Sequence, residues 1–136
     1  MIVIDFMKMD VGNQINRVLI IGDLMLDAYY QGEVTRISQE APVPILKKQG
    51  GKRYVPGGAC NVAVNASTAG SKVSIAGVIG SDANGDLLLS ILNDKGIDTT
   101  LIQKTDTETI TKYRFLSGRN QQLLRMDVED VEDSAQ

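Results

Sequence analysis

Arg17-Val18-Leu19-Ile20-Ile21-Gly22-Asp23 is an unbroken aliphatic run that stops at Gly-Asp. Such a run reads as a strand buried on both faces of a parallel sheet, with its C-terminal end opening into a loop. Ligands of open α/β sheets collect at that end. Val73-Ser74-Ile75-Ala76-Gly77-Val78-Ile79-Gly80 repeats the pattern and predicts a second buried strand, and Ile97 to Gln103 predicts a third. Between the first two, Ala59, Val62, Ala63, Ala66 and Ala69 recur at helical spacing, and Gly70 follows where a C′ glycine ends a helix. Asp82 stands where it can cap a second helix carrying Leu87, Leu88, Ile91 and Leu92 up to Gly96. Strand, helix, strand, helix predicts an α/β chain with right-handed parallel crossovers.

Two segments break this rhythm. From Tyr29 to Val55 the chain is punctuated by Gly32, Pro42, Pro44, Gly50 and Gly51, so its short apolar stretches suit excursion strands rather than the central sheet. From Thr109 to Leu116 the residues alternate with period two, Ser117-Gly118-Arg119-Asn120 is turn-like, and Gln122 to Asp127 can return as the partner of a hairpin. That hairpin is expected to join the earlier excursion. Residues 1–16 show no clean period and are expected to be an N-terminal extension.

Composition narrows the chemistry. The chain has 136 residues, 43% hydrophobic and 23% charged, which suits one soluble domain able to bury a core without metal or disulfide staples. With 17 acidic against 14 basic residues its field repels polyanions, so a nucleic-acid partner is not expected. There is no histidine, which excludes Ser-His-Asp triads and His-based zinc sites within this chain. The start, Met1 to Asp10, is interrupted by Asp5 and Lys8 and is too short and too charged for a signal peptide or a spanning helix, so no membrane partner and a cytoplasmic location are expected.

The sharpest local signal is Pro56-Gly57-Gly58-Ala59-Cys60-Asn61, a glycine pair feeding a helix start. Glycines let a polar ligand approach backbone amides, and the helix dipole favours electron-rich oxygens there. Asn61 could hydrogen-bond hydroxyls with both ends of its amide; a flexible hinge with a capping Asn is the plainer reading. Neither a Walker loop nor a dinucleotide fingerprint is present. Asp23 and Asp27 put carboxylates just past the first strand, where Asp27 is the better acceptor for polyol hydroxyls and Asp23 suits capping equally well. Lys47, Lys48, Lys52 and Arg53 form one basic cluster, and Lys112, Arg114 and Arg125 place cations on the hairpin. These suit an anionic substrate, ordinary solvated strand faces being the alternative. Cys60 is read as a small packed residue without chemistry.

In the order of these pieces the chain resembles the N-terminal half of a ribokinase-like (PfkB-type) carbohydrate kinase. More narrowly, it resembles the heptose-phosphate kinase domain of bacterial heptose kinase/adenylyltransferase enzymes. The likeness runs from about Arg17 to Glu129 and rests on Gly22 to Tyr29, Arg36 to Pro44, Pro56 to Ala63 and Asn120 to Asp127, with Gln39 where the family pattern has Pro. The resemblance implies a parallel sheet with flanking helices and a small β lid, the lid at about 29–55 and 109–127 of a partial domain over 17–136. It implies phosphoryl transfer from ATP, with Mg²⁺, to D-glycero-D-manno-heptose 7-phosphate on the way to ADP-heptose and lipopolysaccharide. Asp27, Gly57, Gly58 and Asn61 would hold the sugar; Lys112, Arg114, Gln122 and Arg125 would cover it, and a homodimer would form through the lid strands. The family's Gly-Ala-Gly-Asp stretch, carrying the catalytic base, does not occur in this sequence. The chain is therefore expected to supply no catalytic residue and no metal ligand, and to be inactive alone. A non-catalytic sugar-binding or dimerisation module, or a kinase for another sugar, are the alternatives.

Overall fold

The computed structural model describes residues 2–5, 16–118 and 120–129, arranged as two four-stranded sheets and two helices. The first sheet has the order β1-β2-β5-β6, formed by Ile2–Asp5, Arg17–Ile21, Lys72–Gly80 and Asp98–Thr105. As the sequence predicts, β2, β5 and β6 are parallel, and the crossovers run through α1 (Ala59–Thr68) and α2 (Ala83–Asp94). Gly70, at φ 94°, follows α1 in the left-handed region that the C′ position needs. The stretch expected to be a mere extension differs: Ile2–Asp5 pairs antiparallel with β2, Ile2 opposite Ile21, and so covers one edge of the sheet. A strand of four residues is too short to display a period. The rest of residues 1–16, from 6 to 15, lies outside the described residues.

The second correction concerns burial. Ile20, Val73, Ile75 and Ile79 point to one face of the sheet, where they form a single core with Ala59, Cys60 and Ala63 of α1 and Leu88 and Leu92 of α2. Both helices therefore cover the same face. The opposite face holds Leu19, Ile21 and Ala76, with Val78 49% and Leu101 51% exposed. The aliphatic run at β2 was read as buried on both faces; among the described residues it is covered on one. Side-chain type reports the burial a strand is suited for, and the cover must come from elements whose presence it cannot reveal.

The second sheet, order β4-β3-β7-β8, joins the long hairpin of β3 (Leu24–Ile37) and β4 (Pro44–Gly58) to the hairpin of β7 (Thr111–Ser117) and β8 (Gln121–Val128). The two excursion segments do share one sheet, through parallel pairing of β3 with β7. β3 begins inside the core, where Leu24, Leu26 and Ala28 are buried, and becomes exposed along its length. Asp27, read as lying on a loop beyond the first strand, is thus a strand residue on the face opposite those three.

Asp82 ties the two sheets together. Its Oδ1 accepts from the Gly85 amide at 2.7 Å, the predicted helix cap, and from Thr109 Oγ1 at 2.7 Å, while Oδ2 accepts from the Thr109 amide at 2.9 Å. The Gly80 amide at the end of β5 donates to Thr109 Oγ1 at 3.0 Å, and Asn84 Nδ2 donates to Thr111 Oγ1 and to the Tyr113 hydroxyl. One carboxylate thus fixes the end of β5, the start of α2 and the lead into β7. Burial alone would raise the Asp82 carboxyl, but the amide and hydroxyl of Thr109 and the amides of Gly85 and Asn84 outweigh it and hold it below its ordinary value.

Thr109→Val should therefore cost about 1–3 kcal/mol of unfolding free energy at neutral pH, by leaving the Gly80 amide and Asp82 short of partners. Because the folded carboxyl is depressed, this contribution is fully present above the ordinary carboxylate range and is lost as pH falls through the folded value. Urea titrations of the native chain and the variant should show a gap at pH 7 that narrows at pH 3.

Candidate functional site

In a strand pair, residues directly opposite share a face, so register shows which side chains meet. Across the second sheet, Val55, Asp27, Lys112 and Asp127 form one transverse row. The next row is Arg53, Tyr29, Arg114 and Arg125. Five of these eight had been selected from sequence or resemblance as Asp27, Lys112, Arg114 and Arg125 for the site and Arg53 for a separate cluster; the structure gathers them on one face.

Asp27 is the hub. Its Oδ1 accepts a close hydrogen bond from Arg114 Nη1, both side chains being about one-fifth exposed at 17% and 20%. That bond, with the negative field of Asp27, raises the Arg114 pKa further above its ordinary value against the opposing effect of burial. The other oxygen faces Gly57, where a Cβ would stand 2.9 Å from Asp27 Oδ2. Gly57 therefore lets the β4 backbone pass against the carboxylate. Gly58, at φ 55°, turns the chain from β4 into α1, and the Ala59 amide donates to the Asp23 carbonyl at 3.0 Å. A Cβ on Gly58 would stand 2.6 Å from that same carbonyl oxygen. Asp23 contributes through its backbone; its carboxylate, read as a possible cap, does not cap α1, whose N-cap Gly58 has no side chain to offer.

Asn61 is exposed in the first turn of α1, and its side chain makes no hydrogen bond among the described residues. Lys112 Nζ lies 3.7 Å from Asp127 Oδ2, and Arg125 Nε lies 2.9 Å from Asp127 Oδ1 without the alignment of a hydrogen bond. Gln122 is exposed opposite Leu116, further out on the hairpin. Cys60 is buried, and desolvation pushes its thiol up to about 11, which agrees with a packed and unreactive residue.

The basic cluster read along Lys47 to Arg53 divides by strand alternation. Lys52 Nζ sits 5.0 Å from the Tyr30 ring centroid on one face, whereas the Arg53 guanidinium sits 4.2 Å from the Tyr29 centroid on the Asp27 face. Lys47 and Lys48 oppose Glu33 and Gly32, well out along the hairpin. Tyr29, Arg53, Val55 and Asp127 are the members of the site face that sequence reasoning does not select for it. Among the described residues no three His, Cys, Asp or Glu side chains converge to hold a metal ion. ATP and Mg²⁺ are what the resemblance implies for a complete enzyme; for the metal, no fitting carboxylate cluster stands among the described residues.

Residues 15–136 match the pfkB family of carbohydrate kinases, and the chain belongs to that family. Among its curated relatives are the bifunctional protein HldE of Chromohalobacter salexigens, 47% identical over 114 residues, and that of Shewanella denitrificans, 48% identical over 120. These alignments cover 84% and 88% of this chain but 24% and 25% of the relatives. Similar solved structures include a carbohydrate kinase from Agrobacterium tumefaciens (TM-score 0.66, 21% identity). Ribokinase from Arabidopsis thaliana complexed with ribose and ATP is another (TM-score 0.65, 18% identity). They match 82% and 81% of this chain and 34% and 35% of theirs, and they show the expected ribokinase-like fold over a partial domain.

Gly58→Ala should destabilise the chain more than Gly70→Ala, although both glycines have positive φ. Gly70→Ala carries the left-handed penalty of about 1–2 kcal/mol, and Gly58, at φ 55° and ψ -131°, lies outside even that region, in a conformation open to glycine alone. A Cβ at Gly70 meets nothing within 4 Å, however, whereas at Gly58 it collides with a backbone oxygen. Thermal unfolding of the two variants measures the difference.

Proposed function

We propose that this chain is the sugar-binding and lid portion of an ATP-dependent kinase for D-glycero-D-manno-heptose 7-phosphate, working in the cytoplasm toward ADP-heptose and the lipopolysaccharide core. One observation carries the reading. Asp27 is held by Arg114 on one oxygen while the other faces the glycine turn that leads to the unengaged Asn61. A fixed carboxylate accepts hydroxyl hydrogen bonds, the glycine turn admits a polyol close to the backbone, and an amide side chain can both donate and accept. Lys112, Arg114, Gln122 and Arg125 lie on the lid hairpin beside it and suit a phosphorylated sugar. The identity to HldE proteins supports heptose as the substrate class. The reading gives these residues the positioning of the acceptor hydroxyl, and it gives the proton-accepting base to the Gly-Ala-Gly-Asp stretch that this sequence lacks.

The lid's other face supports a homodimer. Tyr30 stacks on Phe115 with centroids 5.2 Å apart, and Leu124 and Met126 on β8 are 59% and 47% exposed. Apolar side chains in that number on a small sheet favour burial against a second lid.

Isothermal titration of heptose 7-phosphate tests the sugar site. Asp27→Ala and Asn61→Ala should each weaken binding, Asp27→Ala by about 2 kcal/mol or roughly 30-fold. Unchanged affinity in both variants would move the site elsewhere. With ATP present, residues 1–136 should release no ADP alone and should recover activity when the C-terminal part of an HldE protein is added in trans. Sugar binding that never yields turnover would favour a non-catalytic module. For the dimer, sedimentation should show Leu124→Glu as a monomer at concentrations where the native chain is dimeric.

A further inference from the structure

Across the second row of the lid the sequence places Arg53, Tyr29, Arg114 and Arg125 side by side on four neighbouring strands of a chain whose net charge is -3. Like charges brought together on one face are unfavourable unless something neutralises them. Arg114 has Asp27, and Arg125 has Asp127. Arg53 has no carboxylate partner among the described residues. Its guanidinium is nevertheless held in place, 4.2 Å from the centroid of the Tyr29 ring, while Arg114 stands 5.4 Å from the same centroid.

A guanidinium stacked on an aromatic ring gives up one flat face and keeps its N–H edges free, which is the arrangement that takes a phosphate through two parallel hydrogen bonds. Beside it lies a cavity of about 300 Å³ lined by Tyr29, Gln31, Gly51, Arg53, Leu116 and Asn120. Gln31 is tied across this space to the Asn120 side chain and the Gly118 carbonyl, each at 3.4 Å. A water molecule's share of the liquid is about 30 Å³, so the cavity has room for a phosphate group and its solvent. It is also set at a useful distance. Successive rows on one face of a strand are about 7 Å apart, so a sugar whose ring hydroxyls meet Asp27 would carry a phosphate on an exocyclic carbon out toward the Tyr29 and Gln31 rows.

We infer that Arg53 is the specificity-determining residue for a phosphorylated sugar, its guanidinium and the Tyr29, Gln31 and Asn120 side chains forming an anion subsite one row out from Asp27. The inference rests on the sugar reading of Asp27 and adds to it the group that distinguishes a sugar phosphate from the free sugar. Arg114 cannot serve alone, because its charge is already engaged by Asp27.

The test is calorimetric binding of heptose 7-phosphate and of unphosphorylated heptose to this chain, as the native protein and as Arg53→Ala and Arg53→Lys. Native protein should prefer the phosphorylated sugar by at least tenfold. Arg53→Ala should abolish that preference while leaving the affinity for the free sugar unchanged, and Arg53→Lys, with the charge but not the planar fork, should retain part of it. Inorganic phosphate should compete with heptose 7-phosphate on the native chain and not on Arg53→Ala. A preference kept by Arg53→Ala, or a loss shared equally by both sugars, overturns the subsite alone. Binding of neither sugar by the native chain overturns the sugar reading and the subsite with it. The residue is exposed, and unchanged circular dichroism with unchanged free-sugar affinity separates loss of the subsite from loss of fold.

Discussion

The alternation of β3 governs everything else in the molecule. Leu24, Leu26 and Ala28 are each at most 1% exposed, and the two leucines are locked into the core shared by the parallel sheet and its two helices. With three inward positions fixed, Met25, Asp27 and Tyr29 must point the other way. A slip of one residue would bury the Asp27 carboxylate among aliphatic side chains, at a cost of several kcal/mol, and expose two leucines at once. The register that buries the core is therefore the same constraint that presents the site. The glycine pair obeys it too: Gly57 and Gly58 sit opposite Met25 and Leu24, and each lies where any side chain would strike β3 or its lead-in.

Much of this was legible along the chain, and the reasons are local. The parallel strands, the cap at Asp82, the C′ glycine at position 70 and the hairpin after Thr109 each depend on a short stretch with its own chemistry, and all appear where that chemistry puts them. What was not legible depends on pairing at long range. Asp27 was read on a loop because Gly22-Asp23 looks like the end of a strand; the two-residue alternation from Leu24 to Ala28 is too brief to announce a new one. Arg53 was grouped with Lys52 because they are neighbours in sequence, yet strand geometry sends neighbours to opposite faces. Only the register across β3 and β4, which includes two irregularities between Tyr30 and Arg36, decides that Arg53 meets Tyr29. The buried threonine pair beside Asp82 carried no sequence signal at all, since Thr109 and Thr111 look like ordinary positions of an alternating strand.

Charge shows the same contrast between sum and arrangement. A net charge of -3 argues against polyanion binding, but it says nothing about a single face. On the second sheet, two aspartates and four cations occupy two adjacent rows. Each aspartate is engaged by arginine: Asp27 by Arg114, Asp127 by Arg125, with Lys112 also near Asp127. By row the face carries a net charge of -1 nearer the core (Asp27, Lys112 and Asp127) and +3 one row further out (Arg53, Arg114 and Arg125). A ligand matched to this gradient is uncharged at one end and anionic at the other, which is the charge profile of a sugar phosphate lying along the strand.

The remaining constraint is surface. Among the described residues two apolar faces are bare, one on the parallel sheet at Val78 and Leu101 and one on the second sheet at Leu124 and Met126. They differ in what can cover them. The first belongs to parallel strands, which in α/β proteins are packed on both sides, so its natural cover is helices of the same fold; that agrees with a chain that spans about a third of its solved structural relatives. The second is an antiparallel and parallel ribbon of four strands projecting from the core, and among the described residues no layer covers its outer part at Leu124 and Met126. A small sheet with one polar and one apolar face gains most by meeting another such sheet, since that buries the aromatic pair at Tyr30 and Phe115 and leaves the Asp27 face open to ligand. Pairing the lids on their apolar faces would also stiffen β3 and β7, the strands that carry Asp27 and Arg114. On the proposed sugar-binding reading, affinity would then rise with such assembly, because less ordering would be left to be done when the ligand binds.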